Sequence, residues 1–288
     1  MKCIICNSEK FSVLYRGKIR TGSFGQQSSH DQTVYKCDSC QSGFLPDAGF
    51  KYDTSEYRVE VEGVADFEAF QALHDREQDE KLSVLGSDNL RGKVIADIGC
   101  GGGSFLDLVC GMAHKTVAVE PCRNFHDGLS EKHLVYGHLS HALEDLEEQV
   151  DLAVSFAVIE HVDDPLSFLK EMRLLLKPGG KVLISTPNYD DWMLKFLPGV
   201  YESFFYRKAH QWYFNKASLQ ALASMSGYNS IEIIYKNRFD LSNALHWIRD
   251  HMPTGSGEIQ LFDGLDGSYK HILEQTGQTD FIYAWLSV

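Results

Sequence analysis

Val94-Ile95-Ala96-Asp97-Ile98-Gly99-Cys100-Gly101-Gly102-Gly103, followed a dozen residues later by Thr116-Val117-Ala118-Val119-Glu120, is the stretch that decides the fold. Four of the first five residues are apolar and three are β-branched, the pattern of a buried strand interrupted by Asp97. Glycines then stand where the strand gives way to a helix opening at Ser104 and running to Val109. Without Cβ atoms the backbone turns tightly there and a ligand can approach it closely. The next strand, Thr116 to Val119, ends on Glu120, where a carboxylate can accept both hydroxyls of a ribose. Strand, glycine turn, helix, strand and acid in this order point to an adenosine cofactor.

Two related signatures differ from this one. The dinucleotide fingerprint needs a third glycine at position 104, which is Ser104, so the pattern is Gly-x-Gly-x-Gly. A phosphate loop needs Gly-Lys-Ser/Thr after the turn, and none follows.

Outward from this unit, strands and helices continue to alternate at the spacing of a parallel α/β sheet. Leu134 to Tyr136 is a short strand and Asp151 to Ser155 a fourth. A helix spans Pro165 to Leu176 and is stopped by Lys177-Pro178-Gly179-Gly180. Lys181 to Ser185 is the fifth strand. A later helix ends near Gly227, and Ile231 to Tyr235 and Phe281 to Leu286 supply a sixth and seventh strand. The expectation is an α/β, Rossmann-like, seven-stranded sheet over residues 91 to 288. Residues 46 to 90 form a connector whose Ala65, Phe67, Phe70, Leu73, Leu82 and Leu85 approximate one helix face.

Asp97 to Gly103 resembles motif I of class I S-adenosylmethionine-dependent methyltransferases. Ser155-Phe156-Ala157-Val158-Ile159-Glu160-His161-Val162-Asp163-Asp164-Pro165 resembles their segment after strand 4, and Leu174 to Gly180 their turn before strand 5. The resemblance covers roughly Arg91 to Tyr235. It implies that Gly99, Gly101 and Gly103 line the methionine and ribose portion of S-adenosylmethionine. It further implies that Asp97 anchors the turn or the cofactor's amino group, that Glu120 holds the ribose, and that Phe156 and Ala157 pack near the sulfonium. The acid this family often places after strand 3 is missing from Gly137-His138-Leu139-Ser140. That leaves backbone groups or His138 to meet the adenine.

Residues 1 to 45 carry Cys3-x-x-Cys6 and Cys37-x-x-Cys40 around a Gly/Ser-rich middle, Gly22 to Ser29. Two such pairs supply four thiolates, enough for a closed tetrahedral structural Zn2+ site, and the 30 intervening residues make one loop of the zinc ribbon long. With every position filled by protein the metal is not catalytic. Cys100, Cys110 and Cys122 read as small residues of the α/β core.

Methyl transfer to oxygen or carbon needs a base, and histidine titrates near neutrality. His161 follows strand 4, and His210 lies in an aromatic insertion at about 188 to 215 that carries Lys195, Arg207 and Lys208. Each has a structural alternative, as a loop-holding residue and as a core histidine respectively. The insertion suits a sugar ring or nucleotide diphosphate, or else an amphipathic lid helix. Tyr52, Tyr57 and Arg58 in the connector are further candidates to reach the cleft.

The zinc module ahead of such a core resembles sugar C- or O-methyltransferases of surface-polysaccharide pathways, which implies a carbohydrate or related small-molecule acceptor. A ribosomal RNA methyltransferase and a non-catalytic interaction protein on the same fold are the alternatives. A formal net charge of -13 over 288 residues argues against a nucleic acid partner. No apolar run is long enough for a signal peptide or membrane helix, and seven cysteines with four in tight pairs fit a reducing, cytoplasmic setting. Oligomeric state is left open.

Overall fold

The structure, a computed structural model, describes residues 1–46, 48, 66–254 and 259–288. Its strands are β1 (Phe11–Gly17), β2 (Gln32–Cys37), β3 (Gly43–Phe44), β4 (Val94–Ile98), β5 (Lys115–Val119), β6 (Leu134–Tyr136), β7 (Val150–Phe156), β8 (Leu176–Pro187), β9 (Trp212–Tyr213), β10 (Ser230–Lys236) and β11 (Phe281–Ser287). The helices used below are α1 (Phe67–His74), α2 (Gln78–Leu85), α3 (Ser104–Val109), α4 (His126–Ser130), α5 (Leu139–Leu146), α6 (Pro165–Leu174), α7 (Trp192–Phe196), α8 (Val200–Phe205), α9 (Lys216–Met225), α10 (Leu241–Asp250) and α11 (Asp263–Thr276). The chain divides into two compact units. One comprises Met1–Gly49, Thr186–Leu219 and Ile233–Tyr283; the other comprises Phe50–Ser185, Gln220–Glu232 and Ala284–Val288.

The seven-stranded sheet has the order β10-β11-β8-β7-β4-β5-β6. β4 pairs in parallel with β5 and β7, β5 with β6, and β7 with β8. Strands covered on both faces need continuous apolar runs, and β4, β5 and β7 are buried along most of their length. The chain steps outward from β4 through β5 to β6, then returns to lay β7 on the other side of β4. Strand order therefore reverses at β4. Ligands of open α/β sheets bind beyond the carboxyl ends of strands at such a point, and the turn that leaves β4 there is the glycine stretch 99–103.

The sequence reading needs adjusting in four places. The helix expected to reach Leu176 ends at Leu174, and β8 already begins at Leu176, pairing with Val150 before the register shifts. Gly179 (φ +78°) and Gly180, where a Cβ would sit 2.9 Å from the Lys177 carbonyl, carry that irregularity. The connector is two helices separated by a 3-10 turn at Asp75–Glu77, so the expected face does not run through: Phe70 and Leu85 are buried while Leu73 is half exposed. Ala65, Tyr52, Tyr57 and Arg58 lie outside the described residues. Helices α10 and α11 were not anticipated between the last two strands.

The fourth difference concerns the first unit. β1 and β2 are antiparallel and fill the long stretch between the two cysteine pairs. β3 pairs β2, and β9, from the aromatic insertion, pairs β3 to complete a four-stranded sheet. Tyr201, Phe205, Tyr206 and Tyr213 of that insertion are buried in one core with Tyr15, Ile19, Val34, Leu45 and Trp247. Tyr15 and Tyr206 stack with centroids 4.6 Å apart. The segment is not chiefly an open aromatic wall: α7 and α8 bury their apolar faces and most of its rings are used internally, as the amphipathic-helix alternative requires. Among the described residues no helix is long and apolar enough to cross a membrane.

Candidate functional site

The glycine turn is held from several sides. Gly99, Gly101 and Gly103 have φ of +81°, +57° and +78°, a region in which side chains other than glycine are strained. Contact distances require glycine as well. A Cβ at Gly99 would meet Val158 Cγ2 at 2.5 Å, and one at Gly103 would meet Leu129 Cδ2 at 2.6 Å. Gly102 has no such φ, but a Cβ there would lie 2.8 Å from the Phe70 ring of α1.

Glu120, buried at the end of β5, ties the turn to the neighbouring strand. Its Oε2 accepts the Gly101 N–H at 2.8 Å and its Oε1 the Cys122 N–H at 2.9 Å. A carboxylate oxygen has two acceptor positions, the capacity that a pair of ribose hydroxyls would draw on. The Glu120 carbonyl accepts from or faces His126 Nε2 at 2.6 Å, which fixes the strand end. Asp97 is 3% exposed at the end of β4. Burial pushes its carboxyl up to about 7, the Lys81 ammonium works against that and Glu120 adds to it. A buried carboxylate in this position is poised to take a cationic group.

The walls come from β7 and α2. Phe156 closes β7, meets Phe105 edge-to-face at 5.2 Å, and lies 5.1 Å below the Lys81 ammonium. Ala157 follows with φ +55°, its N–H bonded to the Ser185 carbonyl at 3.0 Å. A non-glycine residue in that region is uncommon and gathers at functional turns. His138 is exposed at the start of α5 and meets His141 edge-on at 5.4 Å. Sequence reasoning missed Lys81, Val158 and Leu129; nothing in the local pattern of an amphipathic helix or a post-strand loop marks which side chain turns toward a distant glycine.

The two candidate bases belong to different units. His161 is half-buried, its N–H bonded to the Val158 carbonyl at 2.8 Å in the turn after β7. His210 is 4% exposed in the first unit, its ring centroid 6.0 Å from that of Tyr213.

The first unit brings Cys3, Cys6, Cys37 and Cys40 together, their sulfurs all within 4.8 Å of one another. Cys3 and Cys40 are 3.7 Å apart, Cys6 and Cys37 3.4 Å. A tetrahedron of ~2.3 Å metal–sulfur bonds has edges of about 3.8 Å. Both knuckles are alike: Asn7 and Gln41 adopt φ of +60° and +63°, and their N–H groups return to the carbonyls of Cys3 and Cys37 at 2.8 Å. Backbone amides of Ile5, Cys6, Ser8 and Ser42 point at the sulfurs and favour thiolate, the form a metal takes. The bond from Cys3 brings the Cys40 thiol down to about 5, while that same bond pushes Cys3 up. This donor set can hold one soft, four-coordinate cation.

The first unit also has a cavity of about 380 Å³ lined by Phe24, Phe204 and Trp247 with Arg20 and His251. The Arg20 guanidinium lies 4.3 Å over the Phe204 ring.

Comparison with known proteins bears on the second unit above all. A family profile described as a methyltransferase domain matches residues 70–233, more than half of the chain. The ubiquinone biosynthesis O-methyltransferase of Ruegeria pomeroyi is 36% identical over 101 residues, covering 33% of this chain and 41% of its own length. That of Ruegeria sp. strain TM1040 is 31% identical over 150 residues, covering 48% of this chain and 61% of its own. The chain thus spans about half the length of these curated relatives. Among solved structures, a SAM dependent methyltransferase from Archaeoglobus fulgidus superposes with a TM-score of 0.52 at 14% identity, over 76% of this chain and 94% of that one.

Proposed function

Because the chain belongs to the methyltransferase-domain family, we propose that it transfers the methyl group of S-adenosylmethionine to an oxygen of a small-molecule acceptor. One observation carries the reading. At the point where strand order reverses, Glu120 clamps a turn of positive-φ glycines while the buried Asp97 carboxyl stands beside it. An adenosine ligand with a cationic amino group matches that pair of carboxylates, one for the ribose hydroxyls and one for the ammonium.

Bound there, the cofactor supplies a methyl group made electrophilic by a sulfonium. The chain's residues do the rest. Gly99, Gly101 and Gly103 let the backbone close on the ligand, and Phe156 and Ala157 wall the sulfonium off from water. Rings and apolar groups suit a dispersed positive charge. His161 accepts the proton of the attacking hydroxyl, which keeps charge from building as the new oxygen–carbon bond forms. His210, buried beside Tyr213, we assign to the core of its own unit. Cys3, Cys6, Cys37 and Cys40 would hold Zn2+ as a closed structural site, since four sulfurs leave no position for a substrate.

The carbohydrate expectation rested on the zinc module's resemblance and on the aromatic segment 188 to 215, and most of that segment's rings lie in or against a core. That leaves a hydroxyl-bearing small molecule as the acceptor. The two relatives named for O-methylation support oxygen as the receiving atom. The net charge of -13 speaks against the ribosomal RNA alternative.

Calorimetry with S-adenosylmethionine and its demethylated product, followed by an assay of product release over hydroxylated aromatics and nucleotide sugars, tests the reading. Saturable cofactor binding and turnover with one acceptor class are expected. No binding at millimolar cofactor would overturn it.

A further inference from the structure

Gly102 is the one glycine of the 99–103 turn without a positive φ. Its partner is α1. A Cβ at this position would lie 2.8 Å from Phe70 Cδ1 and 3.1 Å from Gln71 Cγ, so the missing side chain makes room for the helix. The same helix is admitted at a second glycine: a Cβ at Gly128 would lie 2.6 Å from the Phe67 ring. Two successive turns of α1 thus rest on positions that only glycine leaves open.

Into this contact Gln71 places its amide nitrogen, which donates to the Gly102 carbonyl at 2.9 Å and to Asp107 Oδ2 at 3.2 Å. The peptide joining Gly102 to Gly103 is then fixed at both ends. Its carbonyl is held by Gln71, and its N–H donates to the Cys100 carbonyl at 3.0 Å. With Glu120 fixing the Gly101 N–H, two side chains from different elements set the orientation of the 100–101 and 102–103 peptides of the turn. Asp107 is itself anchored. Its Oδ2 also receives Lys132 at 3.0 Å, and its Oδ1 lies 3.2 Å from Nε2 of His133, whose other nitrogen meets Thr116 Oγ1 at 2.8 Å. Gln71 therefore connects the turn to a hydrogen-bonded chain that runs back to β5.

We propose that α1 is a clamp on the cofactor turn and that Gln71 is its positioning residue, holding the Gly102 peptide in the orientation that receives the cofactor without touching the cofactor itself. This rests on the cofactor reading above. The coupling is reciprocal: a ligand that needs the clamped turn must stabilise α1 to the same degree.

The test compares wild type with Gln71→Met, which keeps the packing on Gly102 and removes both donations, and Gln71→Glu, which sets a carboxylate against the Gly102 carbonyl and Asp107. Loss of these two part-buried hydrogen bonds is worth roughly tenfold in affinity. The dissociation constant of the demethylated cofactor should rise about tenfold in Gln71→Met and further in Gln71→Glu. The KM for S-adenosylmethionine should rise in parallel while kcat at saturating cofactor stays within about twofold. A Gln71→Met protein that melts earlier yet binds as tightly as wild type would overturn the proposal and leave Gln71 a stabiliser of α1 alone. Hydrogen exchange on the wild-type protein supplies an arm that needs no variant. Cofactor binding should slow exchange over residues 67–74 as well as over the turn, and unchanged exchange in α1 with a protected turn would equally overturn the clamp. Failure of wild type to bind cofactor at all would instead sink the function proposed above.

Discussion

Glu120 and Gly101 are joined across two strands by a 2.8 Å hydrogen bond, from the glycine's N–H to the buried carboxylate. A residue read from sequence as a ligand-binding acid is thus also a scaffold for the turn that would bind the same ligand. Its second oxygen holds the Cys122 N–H, so both roles are performed by one side chain in one rotamer.

This dual role separates two substitutions at the position. Glu120→Gln keeps one acceptor oxygen but sets an amide NH2 against a backbone donor, leaving one buried N–H without its partner. The cost is on the order of 1–3 kcal/mol in stability, with a larger loss in cofactor affinity because the ribose loses a charged acceptor. Glu120→Asp keeps the charge and should retain more cofactor affinity than Glu120→Gln. Chemical denaturation and calorimetry on the pair check this. Equal binding by the glutamine variant and wild type would remove Glu120 from the cofactor site.

Asp97 predicts a pH dependence. Its folded-state value, about 7, lies above its ordinary one near 4. Between those values the folded chain keeps a proton that the unfolded chain has released. This group's contribution is therefore fully present below about 4 and is lost as pH rises through about 7. Melting curves from pH 4 to 8 should show a decline in wild type that is shallower in Asp97→Asn. Cofactor binding should run the other way, tightening as Asp97 ionises toward pH 8, because only the carboxylate pairs with an ammonium. A binding profile flat in pH would argue that Asp97 does not meet the cofactor's amino group.

The four-cysteine cluster predicts about one zinc ion per chain by elemental analysis. Cys37→Ser should abolish it and lower the melting temperature of the protein, and a strong chelator should do the same to wild type. The effect should be structural: cofactor affinity, which depends on the other unit, should change by less than about threefold. Full thermal stability in the serine variant would mean that the sulfurs are packed thiols and not ligands.

His161→Ala should lower kcat by roughly 10²–10⁴-fold while cofactor binding persists. His210→Ala should instead lower the melting temperature, since its ring is buried against Tyr213. Rates and melting curves measured on both proteins decide the assignment, and the opposite pattern would move the base to His210.

How far the chain could be read without coordinates depended on the range of the interaction involved. β4, the glycine turn, α3, β5 and Glu120 were legible because the chemistry of each sits within a few residues: apolar runs, absent Cβ atoms, an acid at a strand end. The cysteine pairs were legible for the same reason, since a knuckle is a local turn. Lys81, Val158 and Gln71 were not, because each reaches a residue 16 to 59 positions away, from α2 to Asp97, from the β7 loop to Gly99, and from α1 to Gly102. Helix α11 was missed where Gly264 and Gly267 lower its helical propensity, whereas Leu241, Ala244, Leu245 and Ile248 keep helical spacing in α10, which was legible and went unread.

By itself the sequence determined that a glycine turn and an acid lie at the carboxyl ends of adjacent parallel strands, and that four thiols come in two knuckles. Only the tertiary structure decided what each glycine is for. Gly101 serves the Glu120 carboxylate, Gly99 and Gly103 make room for Val158 and Leu129, and Gly102 admits α1. It also decided the use of the aromatic segment, whose Trp212 and Tyr213 pair with β3 and whose neighbouring rings fill the core of the cysteine-bearing unit. The physical reason is common to both. A missing Cβ or an exposed ring edge records that something must pack there, but which partner arrives is set by chain segments far apart in sequence, whose meeting no local pattern encodes.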